Sequence, residues 1–135
     1  MPAAVECMMN LMVDGVPMLT LGRRLDISAT DSVVLTVPAR AGSADGTVTA
    51  EVQPTQTGKV KVLVITASAY HATQLRYGQA GLGSSAVQTM NLDGPQVLLG
   101  SQVVDLLGSR GSRYRFTNGT PEPVTVSIFV ARDAV

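Results

Sequence analysis

The stretch "KVKVLVITAS", Lys59 to Ser68, decides the fold. Lysine alternates with valine in its first half, and β-branched and aliphatic residues crowd the second, the pattern of a strand with at least one buried face. That density predicts a central strand. Upstream, "QPTQTG" is a loop leading in from a further strand, "TVTAEV", and the small polar "ARAGSADG" (Ala39 to Gly46) is a surface loop. Before these come "SVVLTV", ended by Pro38, then "RRLDIS" and "VPMLTL", where Pro17 favours an edge or a strand start because it cannot donate to a ladder.

At the start of the chain, Val5, Cys7, Met9, Leu11 and Val13 fall on every second position, and Asp14-Gly15 supplies a turn. Five of the six methionines, Met1, Met8, Met9, Met12 and Met18, lie in the first 18 residues, with Met8 and Met12 on the face opposite the Val5/Cys7/Met9 row. A strand apolar on both faces is either an inner strand of the sheet or is covered by another chain. Methionine suits adaptable contact surfaces.

Downstream, "LRYG" and "AVQTMNL" are weaker strands, "GSQVVDLLGS" reads as one short helix capped by Ser101 and stopped by Gly108, and "SRYRF" and "VTVSIFVARDAV" form a hairpin across "TNGTPEP". About eight strands spaced by Gly, Pro and Asp-Gly turns predict a single all-β domain, an antiparallel sandwich or jelly-roll-like barrel. With 135 residues, the chain can bury a core without disulfides, and Cys7 is its only cysteine.

Ten acidic residues balance ten basic ones, so neither nucleic acid nor an anionic membrane is drawn by long-range charge. "MPAAVECMMNLMVDG" lacks the basic region of a signal peptide, which makes cytoplasmic synthesis the expectation. One histidine and one cysteine do not build a zinc site, and Asp14, Asp45 and Asp93 each precede a glycine as turn residues do. No metal or other cofactor is expected. A hydrolase would take His71 as base, Ser68 or Ser84 as nucleophile and Asp93 or Asp105 as orienter, but no nucleophile-elbow motif accompanies them. Gly78, Gly81 and Gly83 reverse the dinucleotide spacing and lack a βαβ frame. Asn118-Gly119-Thr120 matches the N-glycosylation triplet and reads more simply as a turn.

Tyr70, His71, Arg76 and Tyr77 form a polar and aromatic group that a glycan-binding module could use. Arg113 and Arg115 project from one face of their strand while Tyr114 and Phe116 project from the other, as in an ordinary half-buried strand. Candidate interface residues are therefore Val5, Met8, Met9, Met12, Tyr70, His71, Arg76, Tyr77, Arg113 and Arg115. The elements expected to carry contacts are Val5 to Val13, the C-terminal strand, and the loops Ala39 to Gly46 and Gly78 to Ser85.

"LDGPQVLLGSQVVDLLG", followed by "RYRFTN" and "EPVTVSIFVARDA", resembles small accessory proteins of tailed-phage virions, such as head decoration or tail components. The resemblance is one of general character over the C-terminal half and assigns no residue a role. It implies a structural protein of a virion that forms a homo-oligomer or docks onto a larger assembly such as a capsid or tail.

Overall fold

The computed structural model describes residues 3–27, 29–51, 60–79, 89–100 and 113–132. Ten strands are found among them: β1 (Ala3–Val13), β2 (Val16–Ile27), β3 (Ala29–Val37), β4 (Gly46–Glu51), β5 (Val60–Ala67), β6 (Leu75–Gln79), β7 (Thr89–Asn91), β8 (Gln96–Leu99), β9 (Arg113–Asn118) and β10 (Val124–Arg132). The helix expected at "GSQVVDLLGS" lies, beyond Gly100, outside the described residues. The fold is an all-β antiparallel sandwich of eight strands, β3 to β10, with a separate two-stranded ribbon, β1-β2, ahead of it.

One sheet has the order β3-β10-β5-β8 and the other β4-β9-β6-β7. Within "KVKVLVITAS", Val60–Ala67 is β5, paired on both sides, with Leu63 and Ile65 facing inward. Val126, Ile128 and Val130 of β10 join them against Tyr77, Phe116 and Tyr114 of the other sheet. The Tyr77 and Phe116 rings stack with centroids 5.8 Å apart. Period-2 alternation thus supplies one buried face per strand, and facing the two sheets removes both faces from water together.

The expected hairpin between "SRYRF" and "VTVSIFV" does not form, because β9 and β10 lie in different sheets. Asn118 makes the crossing. Its buried amide donates to the carbonyls of Pro38 (3.2 Å) and Glu122 (2.8 Å) and accepts from the Thr120 N–H (2.9 Å) and hydroxyl (2.6 Å). All four hydrogen-bonding positions of the amide are used. The same burial removes Asn118 as a glycan acceptor. At Gly46 a side chain would collide with the Pro38 carbonyl, so the entry to β4 requires glycine.

"VPMLTL" and "RRLDIS" are parts of a single strand, β2, which pairs with β1 from Ala3↔Ile27 out to Val13↔Val16. Asp14 and Gly15 close the ribbon with φ of 50° and 78°, the two left-handed positions of a tight hairpin turn. A bulge between Leu11 and Met12 accommodates Pro17 in a ribbon where every strand is an edge.

Candidate docking surface

The ribbon carries two unlike faces. Cross-strand partners share a face, so Val5/Leu25, Cys7/Arg23, Met9/Leu21, Leu11/Leu19 and Val13/Val16 lie together on one side. The other side alternates chemistry: Glu6 pairs with Arg24 at 3.4 Å, Asn10 faces Thr20, and Met8 and Met12 oppose Gly22 and Pro17.

At its base the apolar face is covered. Leu25 and Ile27 are buried, and with Val5 they pack on Val62 of β5, Ala131 of β10 and Leu99 of β8, on the outer side of the first sheet. The Lys61 ammonium donates to the Asp26 carbonyl at 3.0 Å and ties the base down. Beyond the Cys7/Arg23 pair that cover ends. Met9 is 39% exposed, Leu11 and Leu19 55% each and Val13 58%, and Val16, Met18 and Leu21 are exposed beside them. A strand that alternation alone left open between inner strand and chain-covered strand is therefore no inner strand of the sandwich.

The outer faces of the two sandwich sheets also differ. On the second sheet, Thr47, Thr49 and Glu51 line up with Thr117, Arg115 and Arg113, a solvated polar surface. Arg113 Nε, itself shielded from water, lies 3.2 Å from Glu51 Oε1 as an ion pair without hydrogen-bond alignment. On the first sheet, the covered row Ala131-Val62-Leu99 adjoins a second row, Ser32-Phe129-Val64-Val97, and Val34 lies one row further along, opposite Ser127. Val34 is 66% exposed and Val97 36%, while Phe129 and Val64 are half-buried against the Leu25/Ile27 cluster at the ribbon base.

The remaining expected contact residues separate. Met8, Met9 and Met12 are on the exposed ribbon, and Val5 is half-buried at its base. Tyr70, His71 and Arg76 lie at the other end of the sandwich, since the register runs from Arg132↔Ala29 near the ribbon to Val124↔Val37 near those loops. Tyr77 is a correction. It is 1% exposed, faces the core and points its hydroxyl at Met90 Sδ (3.9 Å), so the glycan patch loses the ring on which it depended. The C-terminal strand β10 lies inside its sheet between β3 and β5, so it has no free edge and can offer contacts only through its outer face, where Phe129 is half-buried. Arg115 is exposed, while Tyr114 and Phe116 are buried, as their alternation predicts. Of the glycine loop, Gly78 and Gln79 belong to β6, and residues 80–85 lie outside the described set, as do Ser84 and Asp105 of the hydrolase set.

His71 Nδ1 accepts from the backbone N–H groups of Thr73 (3.3 Å) and Gln74 (3.1 Å), so the ring caps a turn. Ser68 Oγ accepts from the Thr125 N–H at 3.0 Å, bracing β5 against β10. Arg76 pairs with Asp45 across 3.5 Å. Burial pushes the Tyr77 and Tyr114 phenols up to about 12, which keeps both neutral in the core. Among the described residues no three His, Cys, Asp or Glu side chains gather as metal ligands, and no helix is long and apolar enough to cross a membrane.

The sequence pattern missed Leu19, Leu21, Val34 and Val97 as surface residues. The first two repeat the odd-numbered spacing of Met9 and Leu11 across the turn, a signal visible once "VPMLTL" is read as the return strand of a hairpin. No protein-family model, curated protein or solved structure matches the chain.

Proposed function

We propose that this protein is a non-enzymatic structural subunit that associates with protein through the apolar face of its β1-β2 ribbon. The carrying observation is the continuous row Met9, Leu11, Val13, Val16, Leu19 and Leu21, left exposed on a ribbon over which no described strand forms a second layer. A lone two-stranded hairpin is marginal in water, and exposed contiguous apolar surface of this kind marks an interaction site. Burying these six half-exposed side chains contributes on the order of 1 kcal/mol each.

Protein is favoured over lipid as the covering partner. A bilayer would leave the ribbon's two open edges without hydrogen-bond partners, and the reverse face carries Glu6, Arg24, Asn10 and Thr20. Counted alone, the sandwich strands run first-eighth-third-sixth and second-seventh-fourth-fifth, an order that supports reading the sandwich as a jelly roll. Jelly rolls build capsid proteins among others. That architecture and the general resemblance to tailed-phage accessory proteins together favour a virion decoration or tail component over a soluble binding module.

Sedimentation of the purified chain beside a Leu11→Lys/Leu19→Lys variant tests the reading. Association of the wild type that the variant abolishes, with unchanged thermal unfolding of the sandwich, is expected. A wild type that stays monomeric at the highest attainable concentration and docks onto no capsid, tail or other protein scaffold, or that floats with phosphatidylcholine vesicles through its ribbon, would overturn it.

A further inference from the structure

Resting on that reading, we infer that the ribbon's occupant is a second copy of this chain, and that its receiving surface is the Phe129-Val64-Val97 row with Val34 on the outer side of the β3-β10-β5-β8 sheet. Each subunit gives one ribbon and receives one.

Three observations point to this surface. First, the chain already makes the contact within itself: the base of the same ribbon face, Val5, Leu25 and Ile27, packs on this same sheet face over Val62, Ala131 and Leu99. Second, the apolar surface continues past that cover: Phe129 and Val64 pack half-buried against the same base cluster, Val97 stands 36% exposed at the end of their row, and Val34, opposite Ser127 one row further on, is 66% exposed. The corresponding face of the other sheet offers threonine, arginine and glutamate instead. Third, the area requires reciprocity. Seven residues from Cys7 to Val13 at about 3.4 Å each, on a ribbon roughly 10 Å wide, give a footprint of about 250 Å². One ribbon on one face hides about 500 Å² in total, the size of a lattice contact, whereas two reciprocal contacts reach about 1,000 Å², where stable interfaces begin. A second copy supplies both halves of such a pair, and an isologous exchange closes on itself.

The test uses single cysteines in a Cys7→Ser background. One population carries Leu19→Cys on the ribbon, and a second carries Val34→Cys or Val97→Cys on the sheet face. All three sites are exposed, so the fold should survive, and unchanged thermal unfolding checks this. Mild oxidation of the mixed populations should give a disulfide-linked heterodimer, while Leu19→Cys alone stays unlinked. Val34→Asp, which leaves the ribbon untouched, should weaken self-association by roughly 100-fold. An oligomer that links Leu19→Cys to itself, or is indifferent to Val34→Asp, overturns this receiving surface while leaving ribbon-mediated association standing. A chain that stays monomeric overturns this inference, and one that also docks onto no larger protein assembly overturns the reading beneath it.

Discussion

β1 and β10 are written in the same code and end in opposite surroundings. In β10, Val124, Val126, Ile128 and Val130 recur at every second position and are all buried. In β1, Val5, Cys7, Met9, Leu11 and Val13 do the same, yet past the base they stand in water. Alternation specifies a strand and names its apolar face. It does not say which layer covers that face, because the cover is a non-local partner: for β10 the second sheet of the same chain, for the base of β1 the outer face of the first sheet.

That contrast should show most strongly in stability. Phe116→Ala removes a ring stacked on Tyr77 in the centre of the sandwich and should cost about 3–5 kcal/mol. Leu11→Ala on the ribbon of an unassociated chain should cost roughly 0.5 kcal/mol or less. Chemical denaturation of both variants in a non-associating background checks this, and equal losses would mean that the ribbon face is already covered within the chain.

Next in size is Asn118→Ala, which leaves the Pro38 and Glu122 carbonyls without their buried donor and should cost about 2 kcal/mol. The midpoint of thermal unfolding should fall while self-association of the folded chain is unchanged.

The two regions should also differ in their response to alkali. The folded state holds Tyr77 and Tyr114 neutral up to about 12, above the value near 10 of an unfolded tyrosine. A raised folded value means that the stabilisation is fully present below pH 10 and is lost as the pH climbs through 12. Denaturant midpoints should fall steadily between pH 10 and 12, and a flat profile would contradict the burial of both rings. Tyr77→Phe should flatten part of that slope.

Smallest is the ribbon's own turn. Gly15→Ala strains a left-handed position by about 1 kcal/mol. Faster amide exchange should be confined to the ribbon tip, with the sandwich unaffected.

The sequence made the all-β class, the central place of Lys59 to Ser68, the Asp14-Gly15 turn and the Arg113/Arg115 alternation readable, because each rests on local periodicity or turn chemistry. The β9-to-β10 crossing was not readable: "TNGTPEP" has hairpin composition, and the separation rests on non-local contacts, β9 pairing with β4 and β6, β10 with β3 and β5, and Asn118 reaching Pro38, 80 residues away. Tyr77 looked like a surface ring because it lies near His71 and Arg76, although its parity with Leu75 already placed it inward. The short β8 was hidden in a continuous apolar run, "QVLLG", without alternation to give it a face. On the docking surface, the methionines drew attention to β1, but the row we propose as its receiver, on β10, β5 and β8, comes together only once three distant strands are paired.

Backbone amide exchange over a dilution series tests most directly whether the ribbon is an interface. Amides of β1 and β2 between Cys7 and Leu21 should be protected in concentrated protein and lose that protection on dilution, while β5 and β10 exchange slowly throughout. Ribbon amides that exchange at one rate at every concentration would contradict it.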